Sequence, residues 1–514
     1  MKNNFNSFID IPTWLMFLLK TYFIVYRIFI PIYTFLLNAE QEGLFILTVL
    51  NIIYSTLIFL PVLVPFRNIG VIHPLVFTIL LGLLKSTVSQ AGGNFLTPFF
   101  QTEYTFSSTA AFRSTDVVTY DLVFLNLQAR VFDIVALSFF YLGYVSLGNR
   151  AIHFKIPRFP FPIVFTSAKR AIPYISVASL MLLLLFFNSQ GGITSYISSW
   201  GTSRKEALSE IGVQLSFLKR IYIFPLIWFT INGAKLKGNI ILLIAVIITV
   251  ISGFFLVGSR SGLILATMPF FIVWMIKNGK IPITRPALIG ILFLGVFGVL
   301  GQFRASTYDN KVDWSVFSNL NLSESIEKSE EELGLWQGLN ADIAIYAKVP
   351  NQTDYLYGKS YLGALLFFIP RSVWNDKPHG TGYYVGRNVF GTSQAGIPPG
   401  ETAEAYYNFG FLGLIFVFFL KGRIYKLVVN RILKYGVTDD VYFLIAYIIF
   451  IMNFNTTVLS LVNYFQMILF LVGVKTLLGP YNATQSIYPW ISKMRYKFFI
   501  QRAQSMQGDN RVTT

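Results

Sequence analysis

The chain has 514 residues, 54% hydrophobic, 17% aromatic and only 13% charged, with a mean hydropathy of +0.58. Soluble chains carry about a quarter charged residues because water must solvate their surface, so a soluble globular fold is excluded. The net charge of +17 falls in short connections between apolar blocks, which argues against nucleic acid, and the lack of cysteine excludes disulfides and thiolate chemistry.

The apolar blocks are long enough to cross hydrocarbon as helices, which takes about 20 residues, whereas a barrel shows short alternating segments. Ile240 to Val257 and Val441 to Asn453 hold no charge at all. In chain order we read about twelve spans, at 14–38, 44–66, 70–88, 127–147, 171–189, 215–233, 239–257, 262–278, 286–303, 409–425, 441–460 and 462–478. The expected fold is therefore all-α and polytopic. The first apolar run starts near Ile11 without a small-residue cleavage site, so it is expected to stay as an anchor.

Charges fall inside two of these spans. Lys20 and Arg27 are seven apart and share a face of the first, where a charge usually faces the protein interior. Lys20 also suits the cytoplasmic interface. Arg130 and Asp133 lie in the fourth; Asp133 fits either a functional intramembrane carboxylate or a place near the outer boundary.

Basic residues orient the chain. Arg150, Lys155, Arg158, Lys169 and Arg170 share one connection, and Lys235 and Lys237 another. Lys277, Lys280 and Arg285 form a third, Lys421, Arg423, Lys426, Arg431 and Lys434 a fourth, and Lys493, Arg495, Lys497 and Arg502 mark the tail. With twelve spans all of them fall on the side of both termini, which positive-inside bias makes the cytoplasm. The expected organisation is a membrane domain at 1–303, a long outer loop at 304–408, three further helices at 409–478 and a basic tail at 479–514. The chain shows no internal repeat and so no sign of the paired halves common in transporters.

Against that bias, several cations fall on the outer side: Arg204, Arg304, Arg371, Lys377 and, between two glycines' reach in GSRSG, Arg260. Arginine stays charged and its fork of donors fits phosphate oxygens, while flanking glycines allow close backbone approach. Headgroup snorkelling is the competing account for any single one of them. The loop segment from Tyr355 to Leu414 concentrates Arg, Lys, His379, Glu401, Glu404 and many aromatics just before a span. Trp374, Tyr406 and Tyr407 are candidates for stacking on sugar rings, and a carboxylate can act as general base toward a sugar hydroxyl. Glu401 and Glu404 are three apart and would share one side of a helix entering the tenth span; such a helix could equally turn both toward water. Glu404, beside the aromatics, is expected to be the less solvated of the two. The three histidines lie far apart with no ligand spacing, so no metal or cofactor is expected.

IPRSVWNDKP (Ile369 to Pro378) followed by IPPGETAEAYYNFGFLG (Ile397 to Gly413) resembles the Wzy-type O-antigen and exopolysaccharide polymerases, as do GGITSYISSWGTSR (Gly191 to Arg204) and GSRSG. The resemblance implies a GT-C-like glycosyltransferase of the bacterial inner membrane that works at its outer face. It would move a growing glycan from undecaprenyl diphosphate to the terminal sugar of an incoming repeat unit, with a chain-length regulator as a further partner. By the same resemblance Arg260 and Arg371 would bind the diphosphate and Glu404 would serve as base or orient the acceptor. His379 would assist as in related ligases. An O-antigen ligase shares this layout, and a lipid-linked oligosaccharide flippase is the rival from another class.

Overall fold

The computed structural model describes residues 11–37, 43–64, 70–80, 103–105, 119–152, 168–189, 335–369, 373–391, 397–435, 441–453 and 456–478, with isolated positions at 157, 192 and within 244–248 and 272–276. Four helices in it are long and apolar enough to cross a membrane: Thr13–Leu37, Leu44–Leu63, Phe124–Ser146 and Ser460–Leu477. The expected spans at 215–233 and 286–303 lie outside the described residues.

Helix α1 (Thr13–Leu37) starts after Pro12, whose carbonyl accepts the Met16 N–H at 2.9 Å. Its middle, Phe23–Phe29, is wound as a π-helix. Pro31 follows directly and brings no N–H for the carbonyl of Arg27, so regular α winding cannot continue unbroken there. Phe17, Phe29, Tyr33, Leu36 and Leu37 are exposed along it, as apolar side chains meant for lipid would be. Helix α2 (Leu44–Leu63) contains Pro61, which leaves the Leu57 carbonyl without its helical donor. Tyr141 fills the gap: its hydroxyl donates to that oxygen at 2.8 Å.

A short antiparallel ribbon, β1 (Glu103–Thr105) with β2 (Thr119–Asp121), pairs Tyr104 with Tyr120 and leads into α3 (Leu122–Ser146). Helix α4 spans Ala168–Ser189. After a long interval come α5 (Leu335–Lys348), the short α6 (Lys359–Leu365), and α7 (Thr381–Tyr384), which runs into a π turn at Val385–Val389. Helix α8 (Glu401–Phe409) is separated by Gly410 from α9 (Phe411–Tyr435). Helices α10 (Val441–Asn453) and α11 (Val458–Leu478) close the described part.

The tightest helix pair is α3 against α9. A Cβ on Gly422 would fall 1.9 Å from the Phe140 carbonyl oxygen, and one on Gly143 would fall 2.1 Å from that of Phe419. Only glycine allows the two backbones so close, the way small residues seat membrane helices on each other. Asn430 locks the far end of the pair by donating to the carbonyls of Gly148 and Arg150 at 2.9 and 2.8 Å. Around this pair a large core gathers side chains of α3, α5, α8, α9, α10 and α11. A smaller one joins Leu19 and Phe23 of α1 to Phe59 and Val62 of α2 and to Ile79.

Two expectations change here. The helix at the expected tenth span does not stop at 425 but runs unbroken from Phe411 to Tyr435, so Lys421 and Arg431 are helical residues rather than parts of a basic loop. Arg431 is wholly buried, with its guanidinium 3.2 Å from the centre of the Phe443 ring. The aromatic face attracts the cation, which a flexible loop would have left to water.

Candidate functional site

Helix α8 carries the segment ETAEAYYNF, and its polar side chains tie it to several neighbouring elements. At its start the Gly400 N–H donates to Asp342 Oδ1 of α5 at 2.6 Å. A Cβ on Gly400 would fall 2.5 Å from the other carboxylate oxygen, so any side chain here would displace Asp342. Thr402 donates to Asp133 of α3 at 2.8 Å, and Asn408 accepts from Ser360 of α6 at 2.8 Å. Asp133 also binds Arg130 at 3.0 Å. Its two partners make it an interior, fully engaged carboxylate.

Glu401 and Glu404 do share one side of α8, as their spacing predicts, and that side meets the start of α11. Glu401 Oε1 accepts from the Thr456 N–H and, at 3.1 Å, from the Thr456 hydroxyl. Its Oε2 takes Lys421 Nζ of α9 at 2.6 Å. Glu404 Oε1 accepts from the Thr381 hydroxyl and from the Val458 N–H, the latter at 3.1 Å. Both carboxylates thus supply acceptors to N–H groups at a helix N-terminus that have no intrahelical partner, where the peptide dipoles also favour negative charge.

The electrostatics separate the two acids. Glu404 is 2% exposed, and burial pushes its carboxyl up to about 7. The hydrogen bonds from Thr381 and Val458 pull the other way, and the nearby negative charges of Glu401 and Asp342 add to the rise. Donors aimed at a carboxylate normally lower its pKa, so here desolvation outweighs them. Asp342 is likewise raised to about 7, by burial first. Glu401, expected to be the solvated member, is instead partly buried and ion-paired. Lys421, which its basic neighbours made part of a connection, sits across from it on α9.

Other expected site residues fare differently. Tyr407 is fully buried and Tyr406 nearly so, with the Tyr406 ring packed against Phe132, Tyr346 and Tyr355. Both rings are spent on the core, which leaves no free face for a sugar. Lys377 turns inward, donating to the carbonyls of Phe367 and Ile369 at 2.9 Å each, and so closes the end of α6 rather than pointing at a diphosphate. Trp374 is half-buried, and His379 stacks on Tyr383 with ring centres 3.8 Å apart. Arg204, Arg260, Arg304 and Arg371 lie outside the described residues.

Sequence reading missed Asp342, Thr381 and Lys421. A lone Asp in the apolar run ADIAIY was a usable signal for the first, since an unpaired carboxylate on a buried face is costly. Lys421 gave none, because Arg423 and Lys426 beside it have the look of a cytoplasmic cluster. Among the described residues no group of three or more His, Asp or Glu is placed to hold a metal ion. No protein-family model matches the chain, and neither a curated protein nor a solved structure does.

Proposed function

We propose that this protein is a membrane glycosyltransferase that polymerises lipid-linked oligosaccharide repeat units at the outer face of the bacterial inner membrane. The observation that carries the reading is Glu404: a buried carboxylate whose pKa lies near 7, with Oε1 held by two donors and Oε2 taking no hydrogen bond among the described residues. Such a group is tuned to accept a proton at neutral pH. In the reaction, the hydroxyl oxygen of the incoming unit's terminal sugar bonds to the anomeric carbon of the growing glycan. The bond from that carbon to the diphosphate breaks, undecaprenyl diphosphate leaves with the electron pair, and the hydroxyl proton passes to Glu404. Arg260 and Arg371 are the proposed diphosphate ligands, because fixed cations favour a leaving group that gains charge. Asp342 and Lys421 hold α8 in place rather than touching substrate.

The test is chain extension by purified protein given lipid-linked repeat unit. Glu404→Gln should stop extension while the lipid-linked unit still binds, and Glu401→Gln should only weaken it. Near-normal polymer from Glu404→Gln would remove this base and with it the main support for the reading.

A flippase of the same lipid-linked units is the second reading, favoured by the charged groups inside the helical body: Arg27, Arg130, Asp133 and Lys421. Deleting the gene separates the two. Loss of a polymerase leaves single repeat units on the final acceptor, whereas loss of a flippase traps them inside the cell.

A further inference from the structure

Between the large core and the smaller one under α1 lies a cavity of about 330 Å³. Among the described residues its walls include Arg27 of α1, Tyr54 of α2, Asp133 of α3, Glu401 and Thr402 of α8, and Lys421 of α9. Ile58, Leu75, Leu137 and Phe418 make much of the remainder apolar.

Both acids of this wall already have cations. Asp133 is paired with Arg130, and Glu401 with Lys421. Arg27 has no ion pair among the described residues, and its Nε is buried with no hydrogen-bond partner. Its guanidinium stands 5.7 Å from the centre of the Tyr22 ring. A snorkelling account fails on distance. Arg27 sits 14 residues past Thr13 and ten before Leu37, which is about 20 and 15 Å of helix, beyond the reach of its side chain. An arginine held this deep in a span is costly unless an anion meets it. The π winding of Phe23–Phe29 surrounds this residue, and such stretches frequently mark functional sites.

We propose that the cavity binds the phosphate of a lipid-tailed phosphate ester, with Arg27 as its anchor. One uncompensated guanidinium calls for one anionic group, and its fork of donors matches phosphate oxygens. Thr402 and Tyr54 line the polar part, and the apolar wall takes the first segment of the hydrocarbon tail. Entry is sideways, beneath α1, which among the described residues packs on the smaller core and is largely exposed along its length. The inference does not depend on the polymerase reading: lipid binding without chain extension would sink that reading and leave this one standing.

The full chain, purified in detergent, is titrated with farnesyl phosphate, phosphatidylglycerol, farnesol and inorganic phosphate, with binding followed by native mass spectrometry. One equivalent of a tailed phosphate should bind, and farnesol should not. Preference for farnesyl phosphate identifies an isoprenoid carrier as the source of the phosphate, and equal binding of phosphatidylglycerol identifies the bilayer itself. Arg27→Ala should weaken binding about tenfold or more, with partial recovery in Arg27→Lys. Leu137→Trp fills the cavity without changing charge and should weaken it as well, which guards against a folding defect in the alanine variant. Inorganic phosphate binding as well as the tailed esters would overturn the proposal, as would unchanged affinity in both Arg27→Ala and Leu137→Trp.

Discussion

Glu404→Gln removes a charge while keeping an amide oxygen that can still accept from Val458 and Thr381, so the variant should fold. Its effect on stability can be worked from the rise of the carboxyl from an ordinary 4.5 to about 7. Below pH 4.5 the group is neutral in both folded and unfolded chains and contributes no difference. Between 4.5 and 7 the folded protein keeps a proton that the unfolded chain has lost, so stability falls as pH rises. Above 7 the full cost of a buried charge is present, about 3 kcal/mol by linkage. Glu404→Gln should therefore match the wild type near pH 4.5 and exceed it by up to about that amount at pH 8. Asp342 adds a fall of the same sign to both proteins, so the difference between them reports Glu404 together with its repulsion from Asp342. Thermal unfolding in detergent across pH 4.5 to 8 measures it, alongside chain extension at each pH. Parallel profiles for the two proteins, or a wild type more stable than the variant at pH 8, would refute the argument that desolvation outweighs the hydrogen bonds.

Two further outcomes follow from the same geometry. Lys421→Met should cost about 1–3 kcal/mol, less than a fully buried pair because the two side chains are 12% and 20% exposed, by leaving Glu401 without its cation. Adding Glu401→Gln should recover part of that loss, and a double-mutant cycle with no coupling between them would discard the pair as an anchor of α8. Gly422→Leu should cost roughly 3 kcal/mol or more, because its Cβ would enter the Phe140 carbonyl and force α3 and α9 apart. Gly473→Ala, which meets nothing within 4 Å, should be neutral or slightly stabilising; equal melting of both variants with the wild type would remove the glycine crossing as the reason for the close pair.

The helical membrane character was legible in the chain because it depends on local composition: twenty apolar residues in a row need no partner to declare themselves. Residues 44–66 and 171–189 were read as spans on that ground, and helices occupy Leu44–Leu63 and Ala168–Ser189. The pairing of Glu401 and Glu404 on one side of a helix was legible too, since three-residue spacing fixes it wherever the helix goes. What that side faces was not. Their partners Lys421, Thr456 and Val458 lie 20 to 55 residues away in sequence and are brought close by the packing of α8 against α9 and the start of α11. The same packing turned Tyr406 and Tyr407 from candidate sugar platforms into core and Lys421 from a loop cation into an ion pair. Composition decided that the chain enters a bilayer, because transfer from water to hydrocarbon is a property of each residue alone. Tertiary structure decided which charges are paired, buried or left over, because desolvation and Coulomb energy depend on what stands within a few ångströms. Arg27 shows the division. Its sequence position said only that a charge lies within a span, and the fold set it in a cavity wall with no ion pair among the described residues.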